Sequence, residues 1–590
     1  MHGDPTDAGN LTLYTYPEGF QIGYVYDNAG RLQKIDYPTG VDTTFSYDDV
    51  SRLTQMVDST GTTTWGYNNA DQVTSLAQPA GTITYDYDDN ARLWKMHQPG
   101  SLTTTYTYDF AWRLKTITNG FGEQTSFDYD DASRVIKKTF ANGTYETYSY
   151  DPRSRVEWIK LFNSSNALLS SHHYTYDPAS NVETRTDNGT TTTFGYDDIG
   201  QLISESRAGY SATYSYDKNG NRLTRTLDTG SGPTTEVYAY DDADKLLNVK
   251  VNGNVVKSFS YDLAGRTTGI TDAGGTTSLA YDYEDRVTSI SRPGMTTNTF
   301  AYNGFGARVS KSDSGGSTTY LRSGTSVVAP VVSVSGAESA TFTPGISERR
   351  GTESRFYHGD IKNFVEQTDS SGTIVSSQQY DAFGNLVSSG GGTWNGPFAY
   401  GGRFGYQSDG DYDLKLLGHR YYDSATGRFL SRDPIKDGRN WYAYVANNPV
   451  RFADPSGLRR TLWEWLEDQW EGFKEFLGFG GSEVGMEVAV LPEDVSVSVP
   501  SVAVLLQPAV VIDDLQDGLE RYDYFWELRS TPDPTWMYLR PDDPREHSPS
   551  PGFGRPPWPT DPRPVGPVRE DDPDAWVWLS TRTTEVPAGD

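Results

Sequence analysis

Residues 43–61 read TTFSYDDVSRLTQMVDSTG, and this stretch decides the fold. Phe45 and Tyr47 alternate with Thr44 and Ser46, the period of a β-strand. Asp48-Asp49-Val50-Ser51 is a polar turn, Arg52 to Asp58 a returning strand, and Ser59-Thr60-Gly61 a second turn. The unit recurs. Tyr-Asp-x-x-x-Arg-[Leu/Val] begins at Tyr26, Tyr47, Tyr87, Tyr108, Tyr129 and Tyr150. Looser copies begin at Tyr67, Tyr176, Tyr196, Tyr216, Tyr240, Tyr261, Tyr281 and Tyr302. Self-similarity at a fixed period marks a repeat architecture. From Tyr26 to Tyr302 there are 13 steps over 276 residues, most of them 20 or 21, with 26 after Tyr150 and 24 after Tyr216.

Two strands per repeat predict an all-β chain: a long antiparallel array of β-hairpins, about 28 strands by the pairing rule of the unit. Open twisted sheets rarely exceed roughly ten strands, and at ~4.8 Å per strand the ribbon would run roughly 130 Å. It must therefore coil into a barrel or shell and bury one face. The repeated Asp is expected to accept backbone N–H bonds in its turn, and the Arg four residues on to pair with it. An Asp–Arg pair that recurs repeat after repeat is scaffold.

Composition bounds the chemistry. The 590 residues hold 50 Lys+Arg against 79 Asp+Glu, a formal net charge of -29. That excludes the basic footprint of a nucleic-acid binder. With no Cys and seven His, disulfides, thiolate chemistry and thiolate metal sites are excluded, and neither a metal centre nor a cofactor is expected. The longest apolar run, Val502 to Ile512, is broken by Gln507 and Pro508 and cannot span a bilayer. The N-terminus has no basic or apolar region of a signal peptide.

Residues 416–458 read LLGHRYYDSATGRFLSRDPIKDGRNWYAYVANNPVRFADPSGL. With the Tyr-Asp repeats before them, they resemble the YD repeats and repeat-associated core of bacterial Rhs proteins, with the shell of teneurins as a further relative. The resemblance covers roughly residues 11 to 458, and Tyr357-His358 and Tyr380-Asp381-Ala382-Phe383-Gly384 resemble the approach to that core. It implies a hollow β-shell closed by the core, a variable C-terminal segment held inside, and in several members aspartic self-cleavage after the Leu of D-P-x-G-L. Carried over by position, Asp433 and Asp454 are the acid pair, Arg420 a supporting cation, and Leu458–Arg459 the scissile bond. One departure stands out: Asp433-Pro434-Ile435-Lys436-Asp437-Gly438-Arg439-Asn440 is two residues shorter than the usual connection. Both Asp-Pro pairs are also ordinary turn starters.

The chain is thus expected to divide into 1–311, a YD-repeat shell; 312–356, an irregular β insertion of unclear register; 357–458, the core; 459–529, a variable segment; and 530–590, a Pro-rich acidic tail, disordered by composition. Residues 459–590 hold 17 of the 32 Pro and 26 acidic against 11 basic residues. Leu462, Leu466, Trp470, Phe473 and Leu477 predict an amphipathic helix from Thr461 to Phe479. Residues 484–512 suggest strands and Asp513 to Leu528 a second helix. No enzyme is legible in this tail.

The expected function is a polymorphic-toxin-like shell, monomeric, secreted or at the cell surface. Its partners are its own C-terminal segment and an immunity protein. An adhesive surface protein that binds glycans or proteins is the alternative. A fragment of a larger protein is the third reading, because the chain starts inside the repeat register.

Overall fold

The turn at Asp48 shows why the repeat folds as it does. In the computed structural model, which describes residues 3–5, 11–458 and 461–462, Asp48 Oδ1 accepts the N–H groups of Val50 (3.0 Å) and Arg52 (2.9 Å), and Oδ2 takes Arg52 Nε at 2.7 Å. Ser51 sits at φ 71°, the left-handed position that lets a four-residue turn reverse the chain. Other repeats place Gly30, Gly200, Gly220 or Gly265 there.

The same residues then tie one repeat to the next. Arg52 Nη1 donates to the carbonyl of Asn68 (3.2 Å) and to Asp71 (2.7 Å), and its guanidinium lies 4.7 Å from the Tyr67 ring centre. Tyr67 Oη donates to the carbonyl of Leu53 at 2.7 Å. This tyrosine-to-carbonyl bond recurs at every Tyr-Asp position from Tyr26 to Tyr302. A motif that reads as punctuation is therefore also the rivet between hairpins.

All strands of the ribbon pair antiparallel with their sequence neighbours in one 38-stranded meander from Gly3–Pro5 to Leu386–Gly391. The all-β expectation holds, and the sheet is longer than the Tyr-Asp count predicts. Residues 312–356, expected to be irregular, continue it: Gly316–Arg322, Val331–Gly336, Ala340–Thr343, Ser347–Arg350 and Glu353–Gly359 pair in turn. Their Val and Phe side chains keep the buried alternation without the Tyr-Asp signature, so the sheet persists where the motif fades.

The ribbon coils, and the coils mesh turn against turn. The glycine-type turns of the first coil meet the Tyr-Asp turns of the second. Glu18 Oε1 accepts Ala264 N–H at 3.1 Å across 246 residues, and Asp58 Oδ2 accepts Gly304 N–H at 2.7 Å, again across 246. Tyr283 packs on Phe20 (4.9 Å between ring centres) and Phe305 on Phe45 (5.6 Å). Between Glu18 and Arg266 lie the strands from Gln21–Tyr26 to Asn254–Tyr261; at ~4.8 Å per strand one turn is roughly 110 Å around. The spacing then tightens. Asn119 meets Thr343 across 224 residues, Ser170 meets Glu366 across 196, and Glu205 meets Ala382 across 177.

The core follows as a four-stranded sheet, Gln407–Asp409, Leu414–Leu417, Arg420–Asp423 and Arg428–Phe429. It docks on Tyr-Asp turns late in the first coil and at the start of the second. Asn448 Nδ2 reaches the Gly200 carbonyl (2.7 Å), Asn447 Nδ2 the Gly220 carbonyl (2.8 Å), and Tyr442 Oη the Gly265 carbonyl (2.6 Å). Thr461–Leu462 pair with Phe452–Ala453, so the first two residues of the expected helix are extended. The remainder of that helix, the second helix, the 484–512 strands and the Pro-rich tail lie outside the described residues.

Candidate functional site

Three elements bring Asp433, Asp454 and Arg420 together. Arg420 opens the strand Arg420–Asp423, Asp433 starts the turn after Arg428–Phe429, and Asp454 follows Phe452–Ala453. Arg420 Nη2 is 3.5 Å from Asp433 Oδ2 and 3.5 Å from Asp454 Oδ2. The two carboxylate oxygens thus lie within twice that distance of each other, on one guanidinium nitrogen. All three side chains are buried, at 4–5% exposure.

Asp433 heads the shortened connection and is held by backbone bonds. Its N–H donates to the Trp441 carbonyl (2.9 Å), and its Oδ1 accepts Ile435 N–H (3.0 Å). Lys436 at φ 56° makes the tighter reversal. Asp454 is fixed by its own N–H, which donates to Tyr406 Oη at 2.6 Å. Arg420 donates through Nη1 to the Trp441 carbonyl at 3.1 Å, through Nε to the Gly457 carbonyl, and lies 3.7 Å from the Phe429 ring centre.

Both ends of the Gly457–Leu458 peptide are engaged. Arg420 Nε takes the carbonyl, and Asp454 Oδ1 accepts Leu458 N–H at 2.9 Å. The loop presses on the hairpin before Arg420, where His419 N–H donates to the Ser456 carbonyl at 2.8 Å. Gly457 (φ 72°) and Gly418 (φ 54°) allow this approach: a Cβ on Gly457 would stand 2.1 Å from the Leu417 oxygen, and one on Gly418 2.0 Å from the Ser456 oxygen.

Burial sets the charge state. It pushes the Asp454 carboxyl up to about 7, with Arg420 and the Leu458 N–H pulling the other way and the Asp433 charge adding to the rise. Burial likewise raises Asp433, against the pull of Arg420. Burial also lowers the Arg420 guanidinium, against the pull of the two carboxylates. Two carboxyls on one buried cation, both raised, can hold one proton between them, the charge pattern of acid–base hydrolysis. Tyr406, Trp441 and Gly418 were not singled out by the sequence. Gly418, two residues before Arg420 and needing a positive φ, was the one legible signal. Among the described residues no group of His, Asp and Glu could hold a metal ion, and no helix is long and apolar enough to cross a membrane.

Comparison with known proteins agrees with this architecture. The Teneurin YD-shell family model matches residues 44–175, and the RHS Repeat model matches 6–44, 240–277 and 261–297. The double-stranded DNA deaminase toxin A of Burkholderia cenocepacia is 25% identical over 325 residues, 50% of this chain and 21% of that protein. The tRNA nuclease WapA of Bacillus subtilis is 40% identical over 118 residues, 18% of this chain and 5% of that protein. The chain thus spans about a fifth or less of these two relatives. The TcdB2-TccC3 crystal structure superposes with a TM-score of 0.64 at 18% identity, covering 76% of this chain and 28% of that one. The Photorhabdus luminescens Tc holotoxin pore gives 0.64 at 18%, covering 77% and 27%. Repeat, rivet, coil and core together resemble the YD-repeat architecture of bacterial Rhs proteins and of the teneurin YD-shell.

Proposed function

We propose that this chain is a shell that retains its C-terminal segment and severs it after Leu458. The observation that carries the reading is the buried pair Asp433 and Asp454 on Arg420, with Asp454 bonded to the Leu458 N–H. In this reading ionised Asp433 takes a proton from water, and the water oxygen bonds to the Leu458 carbonyl carbon. Asp454, the carboxyl that keeps its proton to about 7, gives it to the nitrogen of Arg459 as the C–N bond breaks. The products are a Leu458 carboxylate and a free amino group on Arg459. Arg420 holds the loop and limits charge build-up. A single cut needs little rate, because the bond is presented within the same molecule at high effective concentration.

The role proposed for the released segment is that of a toxin acting outside the producing cell. Support comes from the relatives, a deaminase toxin and a tRNA nuclease, and from the TcdB2-TccC3 structure solved without a hypervariable C-terminal region. An immunity protein is the proposed partner in the producer.

Intact-mass measurement of the purified chain tests the cleavage. Two fragments, 1–458 and 459–590, are expected from the wild type, and one uncut species from Asp433→Asn. An uncut wild type ends the idea. Expression of residues 459–590 in susceptible bacteria tests the toxin role separately, and unimpaired growth counts against it.

A further inference from the structure

Some buried arginines in this molecule, Arg266, Arg308 and Arg420 among them, are answered by a carboxylate. Arg322, 3% exposed, is not. Its Nε donates to the Arg308 carbonyl (2.9 Å) and its Nη1 to the Ala329 carbonyl (2.6 Å), and no carboxylate of the described residues lies within ion-pair distance. The nearest charge is a second cation, Arg308, wholly buried and already committed. Arg308 Nη1 meets Asp409 at 2.7 Å and Nη2 meets Gln407 at 2.8 Å, while Tyr421 Oη donates to the same Asp409 oxygen at 2.6 Å. Of the two guanidinium groups, only Arg308 therefore has a carboxylate. Burial, then the charge of Arg308, pulls the Arg322 guanidinium down to about 10.

A cavity of about 30 Å³ adjoins the two arginines. Its wall includes Val327, Val331, Phe342, Phe404 and Leu416 and contains no Asp or Glu. Its polar edge offers donors: Arg322, and Arg308 with an unpartnered Nε. A buried cation with no counter-charge is costly, and a donor-lined cavity beside it answers that cost only if an acceptor enters. A volume of this size holds about two or three waters.

We propose that this cavity is a binding site for a small carboxylate of formate or acetate size. A planar carboxylate pairs with a guanidinium through two parallel N–H bonds, which a tetrahedral or spherical anion does less well. The apolar wall has room for a hydrogen or a methyl group and no more. The site is separate from the Asp433–Asp454 pair, although Gly418 and Pro455 form part of its wall.

Thermal unfolding of the full chain tests this, with sodium formate titrated at constant ionic strength against sodium methanesulfonate, a bulkier anion. A ligand that binds only the folded state raises the midpoint with the logarithm of its concentration above the dissociation constant. The wild type is expected to show that rise. Arg322→Gln is expected to lose it, and Arg153→Gln, an exposed control on a Tyr-Asp turn, to keep it. Val327→Phe, which fills the cavity and leaves every donor in place, is expected to lose it as well, and it decides the matter if Arg322→Gln does not fold. A flat wild-type response, or equal responses in wild type and Val327→Phe, overturns the proposal.

Discussion

The ribbon and the core use the same two residue types to opposite ends. In the ribbon an Asp and the Arg four residues on sit partly exposed in a turn. The Asp carboxyl accepts two backbone N–H bonds besides the Arg. Burial works against ionised Asp48, yet those bonds prevail and hold it below the usual carboxylate range. In the core one Arg faces two Asp in a buried setting, and both carboxyls are pushed up. Hydration and spare hydrogen bonds make the first pair inert structure. Their loss leaves the second with protons to exchange. In the proposed reading the charge state, rather than the residue names, separates the scaffold pair from the cleaving one.

The largest expected effect lies at the pair itself. Asp433→Asn and Asp454→Asn each remove a group that must gain or lose a proton, and cleavage is expected to vanish from the mass spectrum within the assay window. Asp48→Asn, the same change in the ribbon, should leave cleavage untouched; equal effects would erase the contrast. Arg420→Gln comes next. It leaves two buried carboxyls without their cation, a change of roughly 3–5 kcal/mol for a broken buried pair. Urea unfolding should detect it as lost core stability, and fast proteolysis of residues 397–458 would be its signature.

The pH profile is the third test. If Asp454 is the acid, the cleavage rate should fall about tenfold per pH unit above about 7, as its proton is lost. It should also fall at the acid end as Asp433 gains a proton. Stability is expected to move the other way from habit: a carboxyl raised in the fold favours the folded state at low pH, so the Asp454 contribution is lost as pH rises toward about 7. In the ribbon the sign reverses. Carboxyls such as Asp48 are lowered in the fold, so their contribution is present near neutrality and lost on acidification. Asp454→Asn should flatten only the first slope. The smallest effect is expected at a single rivet. Tyr67→Phe deletes one hydroxyl bond to the Leu53 carbonyl, worth about 1 kcal/mol, with no change in cleavage.

Much of the ribbon was legible because its signal is local. Tyr, Asp and Arg recur at fixed offsets, and their contacts stay within a turn or reach one repeat ahead. The continuation through residues 312–356 was not, because there the sheet is held by Val and Phe alternation and ladder register, which carry no fixed residue names. The mesh of Glu18 with Ala264 was invisible for another reason: a separation of 246 residues is set by the girth of the coil, which no window of sequence contains. At the site, Asp433, Asp454 and Arg420 came from motif resemblance, and the structure brings them together. Tyr406 and the Trp441 carbonyl escaped because a backbone group and a distant hydroxyl leave no pattern.

The meshing of coils has a consequence for how such a molecule can change length. Its turns engage like teeth, glycine-type against Tyr-Asp, and each tooth is one repeat wide. Gain or loss of a single 20- or 21-residue repeat within the first coil would advance all later teeth by one position, so that Tyr283 would no longer face Phe20, nor Gly304 face Asp58. Growth by duplication is therefore easiest at the free margins of the spiral, whereas an internal copy demands retuning of a whole circuit at once.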